Sequence, residues 1–284
     1  MKCTIALAQI DSVIGDLQKN LLHHLEYIEK AIVQKADIVV FPELSLTGYS
    51  IKDLNWDVAV RAEPNAVFKK IFPLSKKITI IFGGVEEAEN YGLYNSAFVV
   101  EDGKIYSAHK KIYPPTYGMF EEMRYFNRGN DVRCFQSKHG KLGILICEDL
   151  WHLSLPYILA HDGAEIIFSL TAGPTRLSEN SDELTAAAVN HEQQRTYARL
   201  LSTPIAFCNR TGFEDGVNFW GGSHIVSPSG ATIAKGKIFE EDLIVAEIDA
   251  NETRRARRFS RHFVDDSVEF TIQQLQNSLQ RKKK

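Results

Sequence analysis

Four cysteines, Cys3, Cys134, Cys147 and Cys208, are scattered through 284 residues with no C-x-x-C pair. That removes the ligand spacing of a structural zinc site and the dense framework of a disulfide scaffold. Positive charge is not in excess: 33 Lys and Arg stand against 36 Asp and Glu, a net of −3, so no global field favours nucleic acid. No apolar run approaches the roughly 18 residues of a membrane span. The opening Lys2-Cys3-Thr4-Ile5-Ala6-Leu7-Ala8 is too short for a signal-peptide core and carries no cleavage pattern. Ser/Pro linkers, low-complexity tracts and internal repeats are missing too. With 44% hydrophobic and 24% charged residues, the composition is that of an ordinary globular chain. The expectation is a reduced, cytoplasmic protein of enzyme size with no membrane or nucleic-acid partner. The basic clusters at Arg254–Arg258 and Arg281–Lys284 read as solvated faces.

Short β-branched runs alternate with amphipathic stretches along the whole length, which predicts one α/β domain over residues 1–284. Strands are predicted at Thr4–Gln9, Ala36–Phe41, Ile78–Gly83, Tyr94–Val100 and Lys104–Ala108, the last two joined by an Asp102-Gly103 hairpin turn. Further strands are expected at Val132–Phe135, Lys141–Cys147, Glu165–Leu170, Pro204–Cys208, Ser223–Ser227, Ala231–Ala234 and Leu243–Ile248. Helical spacing marks Asp16–Gln34, Leu54–Leu74, Ser154–His161 and Ser181–Leu201. Lys110–Asn130 has aromatics, prolines and charges without a period and reads as a long functional loop.

Three places look wrong for packing alone. Glu43 follows the apolar strand ending at Phe41, where a carboxylate is either a turn cap or a group on the rim of the sheet. Lys110-Lys111 open the long loop and are either exposed or functional. Cys147 ends the strand Gly143-Ile144-Leu145-Ile146 and is followed at once by Glu148-Asp149. A cysteine there is either core filler or the nucleophile of a strand-to-helix elbow, whose backbone N–H groups face a substrate oxygen. Cys3, Cys134 and Cys208 lack that charged exit and read as structural. Together the three positions meet the needs of a thiol attacking an amide: Glu43 as general base and later acid, a lysine to hold the oxyanion, Cys147 as nucleophile, and the Glu148 N–H as second oxyanion donor.

Phe41-Pro42-Glu43-Leu44-Ser45-Leu46-Thr47-Gly48-Tyr49, His109-Lys110-Lys111-Ile112-Tyr113-Pro114 and Leu145-Ile146-Cys147-Glu148-Asp149-Leu150-Trp151 resemble the three signatures of the nitrilase superfamily of carbon–nitrogen hydrolases. In that pattern the lysine followed by Ile-x-x-Pro is Lys111. Phe120-Glu121-Glu122-Met123-Arg124 resembles the segment bearing a second active-site glutamate, which the register assigns to Glu122. The resemblance spans almost the whole chain, with Ala8-Gln9, Tyr94-Asn95-Ser96 and Gly221-Gly222-Ser223 in matching order. It implies a four-layer α-β-β-α sandwich and dimerisation through helices.

Cys-Glu-Asp-Leu-Trp after the nucleophile and Leu-Thr-Gly-Tyr after Glu43 are most similar to the glutaminase domain of glutamine-dependent NAD synthetases. The Ser-Gly-Gly-type nucleotide loop of their synthetase part does not occur before Lys284. The expectation is therefore an amidase for a small linear amide, glutamine or another ω-amide included, working through a cysteine thioester without metal or cofactor. Nitrile or N-carbamoyl cleavage, an ammonia-supplying subunit and a silent scaffold are the alternatives. Tyr49, Trp151 and Arg176 are candidate substrate contacts. His152 reads as a helix cap rather than as a partner of the thiol.

Overall fold

The structure, a computed structural model, describes residues 2–175 and 184–282. In chain order the strands are β1 (Lys2–Gln9), β2 (Ile38–Val40), β3 (Thr79–Glu87), β4 (Leu93–Glu101), β5 (Lys104–Lys110), β6 (Phe135–Ser137) and β7 (Gly140–Ile146). They continue with β8 (Ile166–Thr171), β9 (Ile205–Asn209), β10 (Thr211–Glu214), β11 (Val217–Trp220), β12 (His224–Val226), β13 (Thr232–Lys235) and β14 (Asp242–Asp249). The helices are α1 (Leu17–Val33), α2 (Asn55–Val58), α3 (Ala66–Ser75), α4 (Glu122–Tyr125), α5 (Ser154–His161), α6 (Thr185–Leu201), α7 (Ala250–Phe259) and α8 (Val268–Lys282).

Two six-stranded sheets result, ordered β14-β1-β2-β3-β4-β5 and β13-β12-β9-β8-β7-β6. Each has a parallel centre, β1-β2-β3 in one and β7-β8-β9 in the other. The alternation of side chains along a strand gives each sheet two apolar faces. Ile5, Leu7, Val40 and Ile81 meet Ile144, Phe168, Leu170 and Ala206 between the sheets. On the outer faces Ala6, Val39 and Phe82 pack on Leu21 and Ile28 of α1 and Phe68 of α3, while Leu145 and Ile167 pack on Leu159 of α5 and Ala198 of α6. The layers therefore run α-β-β-α.

Local signals explain most boundaries. Asp16 caps α1 by accepting the Lys19 N–H at 2.9 Å, and Asn65 caps α3 by accepting from Val67 and Phe68. Asp102 and Gly103 take φ of +50° and +74°, as a two-residue hairpin turn demands. The helix expected over Leu54–Leu74 is not continuous. After α2 the chain extends so that Val60 bridges to Glu86 beside β3, and α3 begins only after Pro64-Asn65, a pair that favours extended chain followed by a helix cap. The strand expected at Val132–Phe135 lies later, at Phe135–Ser137, because the Cys134 N–H is drawn to Asp162 Oδ2 at 2.6 Å. The single turn α4, inside the segment Lys110–Asn130 read as a loop, the hairpin β10–β11 and the helices α7 and α8 come in addition to the elements predicted. Residues 181–183 of the helix predicted over Ser181–Leu201 lie outside the described residues.

Candidate active site

The C-terminal ends of β2, β5, β7 and β8 bring the chemical residues together, at the end of the sheets where α/β folds place their sites. Glu43 lies on the turn after β2. That turn passes so close to β3 that a Cβ on Gly83 would lie 2.4 Å from the Leu44 nitrogen, and Leu44 itself sits at φ +49°. Beneath it buried His24 bonds Asn20 O at 2.7 Å and Ser45 Oγ at 2.9 Å and stacks on Phe41. Burial lowers the His24 pKa to about 4, so the prop is a neutral ring.

Lys111 leaves β5 with its N–H donated to Asn95 O at 2.9 Å. Its ammonium, fully buried, donates to Glu43 Oε1 at 2.6 Å and to Glu122 Oε1 at 2.7 Å. Consecutive residues of an extended chain point to opposite sides. Lys110 accordingly faces away, 3.4 Å from Glu86 and over the Tyr94 ring. Glu122, on the single turn α4, also accepts from the Tyr49 hydroxyl at 2.5 Å. Asn95, near the start of β4, donates to Glu43 Oε1 at 2.8 Å and to Glu122 Oε2 at 3.5 Å. From the second sheet, the Ala172 N–H donates to Glu43 Oε2 at 2.9 Å.

Cys147 begins a 3-10 turn, Cys147–Trp151, directly after β7, at φ +46°. A non-glycine residue in that region is strained and belongs to sites whose surroundings over-determine it. Asp149, wholly buried, supplies that surrounding. Its Oδ1 accepts from the Ile112 and Tyr113 N–H groups at 3.0 Å each, and its Oδ2 from Ile146 N at 3.2 Å and His109 Nε2 at 2.7 Å. One carboxylate thus pins the cysteine elbow to the chain just beyond Lys111.

The electrostatics follow from two carboxylates around one ammonium. Burial drives the Cys147 thiol far above its ordinary range, Glu43 and Glu122 push the same way, and Lys111 and an Ala172 N–H bond to the sulfur pull it down. Burial opposes the Lys111 charge, but Glu122 and Glu43 outweigh it and hold the ammonium protonated. Glu122 is pushed up to about 7 by burial and by Glu43, against the pull of Lys111. Among the described residues no group of three or more His, Cys, Asp or Glu side chains is placed to hold a metal ion.

A sequence profile of the carbon–nitrogen hydrolase family matches residues 4–258. The chain belongs to this family, within the nitrilase superfamily, and is a hydrolase of carbon–nitrogen bonds. A solved carbon–nitrogen hydrolase from Helicobacter pylori G27 shares its fold at a TM-score of 0.84 and 27% identity, covering 96% of this chain and 98% of that one. The glutamine-dependent NAD(+) synthetase of Thermotoga maritima is 32% identical over 258 residues, 88% of this chain and 43% of that protein. The chain therefore spans under half the length of that relative. A probable nitrilase from Schizosaccharomyces pombe is 26% identical over 276 residues, 94% of this chain and 96% of that protein.

The other candidates of this hydrolase are spread around the cluster. Tyr49 touches it through its hydroxyl. Its backbone is held from the far side, because Glu214 accepts the N–H groups of Tyr49 and Ser50 and pairs with buried Arg210 at 2.6 Å. Gly48, at φ +83°, has no room for a Cβ, which would meet Glu214 Oε2 at 2.8 Å. The Glu148 side chain accepts from the Tyr117 hydroxyl at 2.8 Å. Trp151 is 46% exposed at the end of the turn. His152 stacks on Tyr113 at 3.5 Å and also forms the C-cap of the 3-10 turn. Arg176 lies outside the described residues. Cys208 donates to Val40 O at 3.2 Å between the sheets, and burial raises Cys3 and Cys134 to about 12.

Asn95, Asp149 and the Arg210–Glu214 pair were not among the predicted site residues. A lone amide inside the apolar strand Leu93–Glu101 was the available signal for Asn95.

Proposed function

We propose that the hydrolase is a thiol amidase cleaving a small linear amide to acid and ammonia, with Glu43, Lys111 and Cys147 as the reacting residues. The observation that carries this reading is the buried Lys111 ammonium held between Glu43 and Glu122 at the same end of the sheets as the strained Cys147 elbow, whose thiol feels all three charges. A thiol so strongly protonated at rest needs a base within reach at the moment of attack. Glu43 takes the proton as sulfur adds to the carbonyl carbon, and Lys111 with the Glu148 N–H holds the oxyanion. Glu43 then passes the proton to the leaving nitrogen, ammonia departs and a thioester remains on Cys147. Water, deprotonated by Glu43, adds to the thioester and the acid leaves with the thiol restored. Glu122 and Tyr49 fix the lysine. No cofactor enters these steps.

Glutamine and other ω-amides head the substrate classes, supported by the glutamine-dependent relatives. Both sheets furnish the site, which supports residues 1–284 acting as one catalytic unit. Helix α8 exposes Phe270, Ile272, Leu275 and Leu279, which supports a homodimer. Four free cysteines suit a reducing compartment such as the cytoplasm.

The test is a panel of glutamine, asparagine, other ω-amides, N-carbamoyl compounds and nitriles, read by ammonia release. Turnover of amides that disappears in Cys147→Ala supports the reading. Turnover of nitriles alone replaces it with a nitrilase.

A further inference from the structure

A cavity of about 490 Å³, away from the Glu43–Lys111–Cys147 cluster, carries polar chemistry that amide hydrolysis does not use. Its volume falls in the range of small-ligand pockets. It is walled by the turn Gly163–Glu165 before β8 and by α7 with the segment after it, which contribute Thr253, Arg254, Arg257, Arg258 and Arg261. Thr253 and Arg257 are four residues apart on one helical face. The Arg254–Arg258 run is therefore not wholly the solvated face its sequence suggests: Arg257 is half-buried, with its guanidinium 4.8 Å over the Phe263 ring.

The decisive feature is what these groups lack. Arg257 Nε and Nη2 and Thr253 Oγ1 are buried and, among the described residues, have no hydrogen-bond partner. Buried donors without acceptors are costly, most of all on a charged group. Burial accordingly works against the Arg257 charge, with no carboxylate offsetting it. Arg261 is tied to Asp265 at 2.6 Å. Glu165 is the one carboxylate on the wall, and it accepts from Lys141 N at 3.4 Å. With Arg261 held by Asp265, the guanidinium groups of Arg254, Arg257 and Arg258 stand against the one carboxylate of the wall, around a space with three unmet polar atoms.

We propose that this cavity binds a small soluble anion carrying a phosphate group, with Arg257 and Thr253 as its central contacts. Forked guanidinium donors arriving from several residues suit a group with three or more acceptor oxygens on one centre. The cavity lies at the N-terminal end of β8, whereas Ala172 and the catalytic cluster lie at its C-terminal end. A ligand here does not compete with the amide.

The test is calorimetric titration of the whole protein with inorganic phosphate and with pyrophosphate, at an ionic strength held constant with chloride. The expected result is saturable binding at one site per chain. Arg257→Gln should weaken it about tenfold or more and Thr253→Val by less. Unchanged ammonia release by both variants certifies their fold. No saturable binding, or equal binding by Arg257→Gln, overturns the proposal. So does a dimer in sedimentation velocity that Arg257→Gln dissociates, which would give the arginines to a second copy. Arg257-dependent sedimentation with phosphatidylserine vesicles in the absence of phosphate binding would give them to a membrane surface, and also overturns it.

Discussion

Asn95 donates to Glu43 Oε1 at 2.8 Å while its own side-chain oxygen is buried and, among the described residues, has no hydrogen-bond partner. An amide so placed serves the carboxylates it touches: it fixes the orientation of Glu43 and leaves the other oxygen, Oε2, to the Ala172 N–H beside the sulfur. Asn95→Ala should lower kcat by about 10- to 100-fold, the rate equivalent of a hydrogen bond to a charged group. KM should move little, because Asn95 acts through Glu43. Steady-state ammonia release checks both parameters.

Glu122 gives a pH signature. Its carboxyl is raised from 4.5 to about 7 by burial and by Glu43, so between those values the folded chain keeps a proton that the unfolded chain has released. Folding then binds protons, and the stability this group contributes is full below 4.5 and is lost as pH rises through about 7. Glu122→Gln removes the titration. The fall in Tm from acidic to neutral pH should therefore be smaller in the variant, as measured by calorimetry across that range.

Backbone strain at Cys147 separates chemistry from folding. Cys147→Ala should abolish turnover and leave the circular dichroism spectrum unchanged. Cys147→Gly should be equally inactive yet more stable than the alanine variant by about 1 kcal/mol, since φ of +46° suits only glycine without penalty. Denaturant titration of the pair measures the difference.

The buried Arg210–Glu214 pair steadies Tyr49 from behind. Arg210→Met leaves the Glu214 charge without its counterion and should cost about 3–5 kcal/mol in denaturant unfolding. Glu214→Gln keeps an oxygen for the Tyr49 and Ser50 N–H groups and should cost less.

The sequence made the parallel centres of both sheets legible because their strands are apolar on both faces and end in turn signals. Ser154–His161 is helical over the residues read as helical. The break between α2 and α3 was also written, in Pro64-Asn65, but the apolar spacing on either side masked it. The hairpin β10–β11 turns on Asp215-Gly216, both at positive φ. That is the same dipeptide signal that revealed Asp102-Gly103, hidden here by flanking strands of only four residues. Helices α7 and α8 bury no residue, so no complete apolar stripe announces them. At the site, Lys111 was distinguished from Lys110 only by the family resemblance, while Glu43 and Cys147 were visible because reactive residue types follow or end apolar strands. Asp149 and Glu214 were not, because their work is done on backbone N–H groups that no side-chain pattern records.

Everything in the proposed reaction passes through a covalent bond between the substrate acyl group and Cys147. Intact-mass spectrometry of acid-quenched enzyme turning over an amide, followed by peptide mapping, tests it directly. The expected result is a mass increase equal to the acyl group, located on Cys147, released by hydroxylamine and absent in Cys147→Ala. An acyl group found on another residue, or turnover that persists in Cys147→Ala, would contradict it.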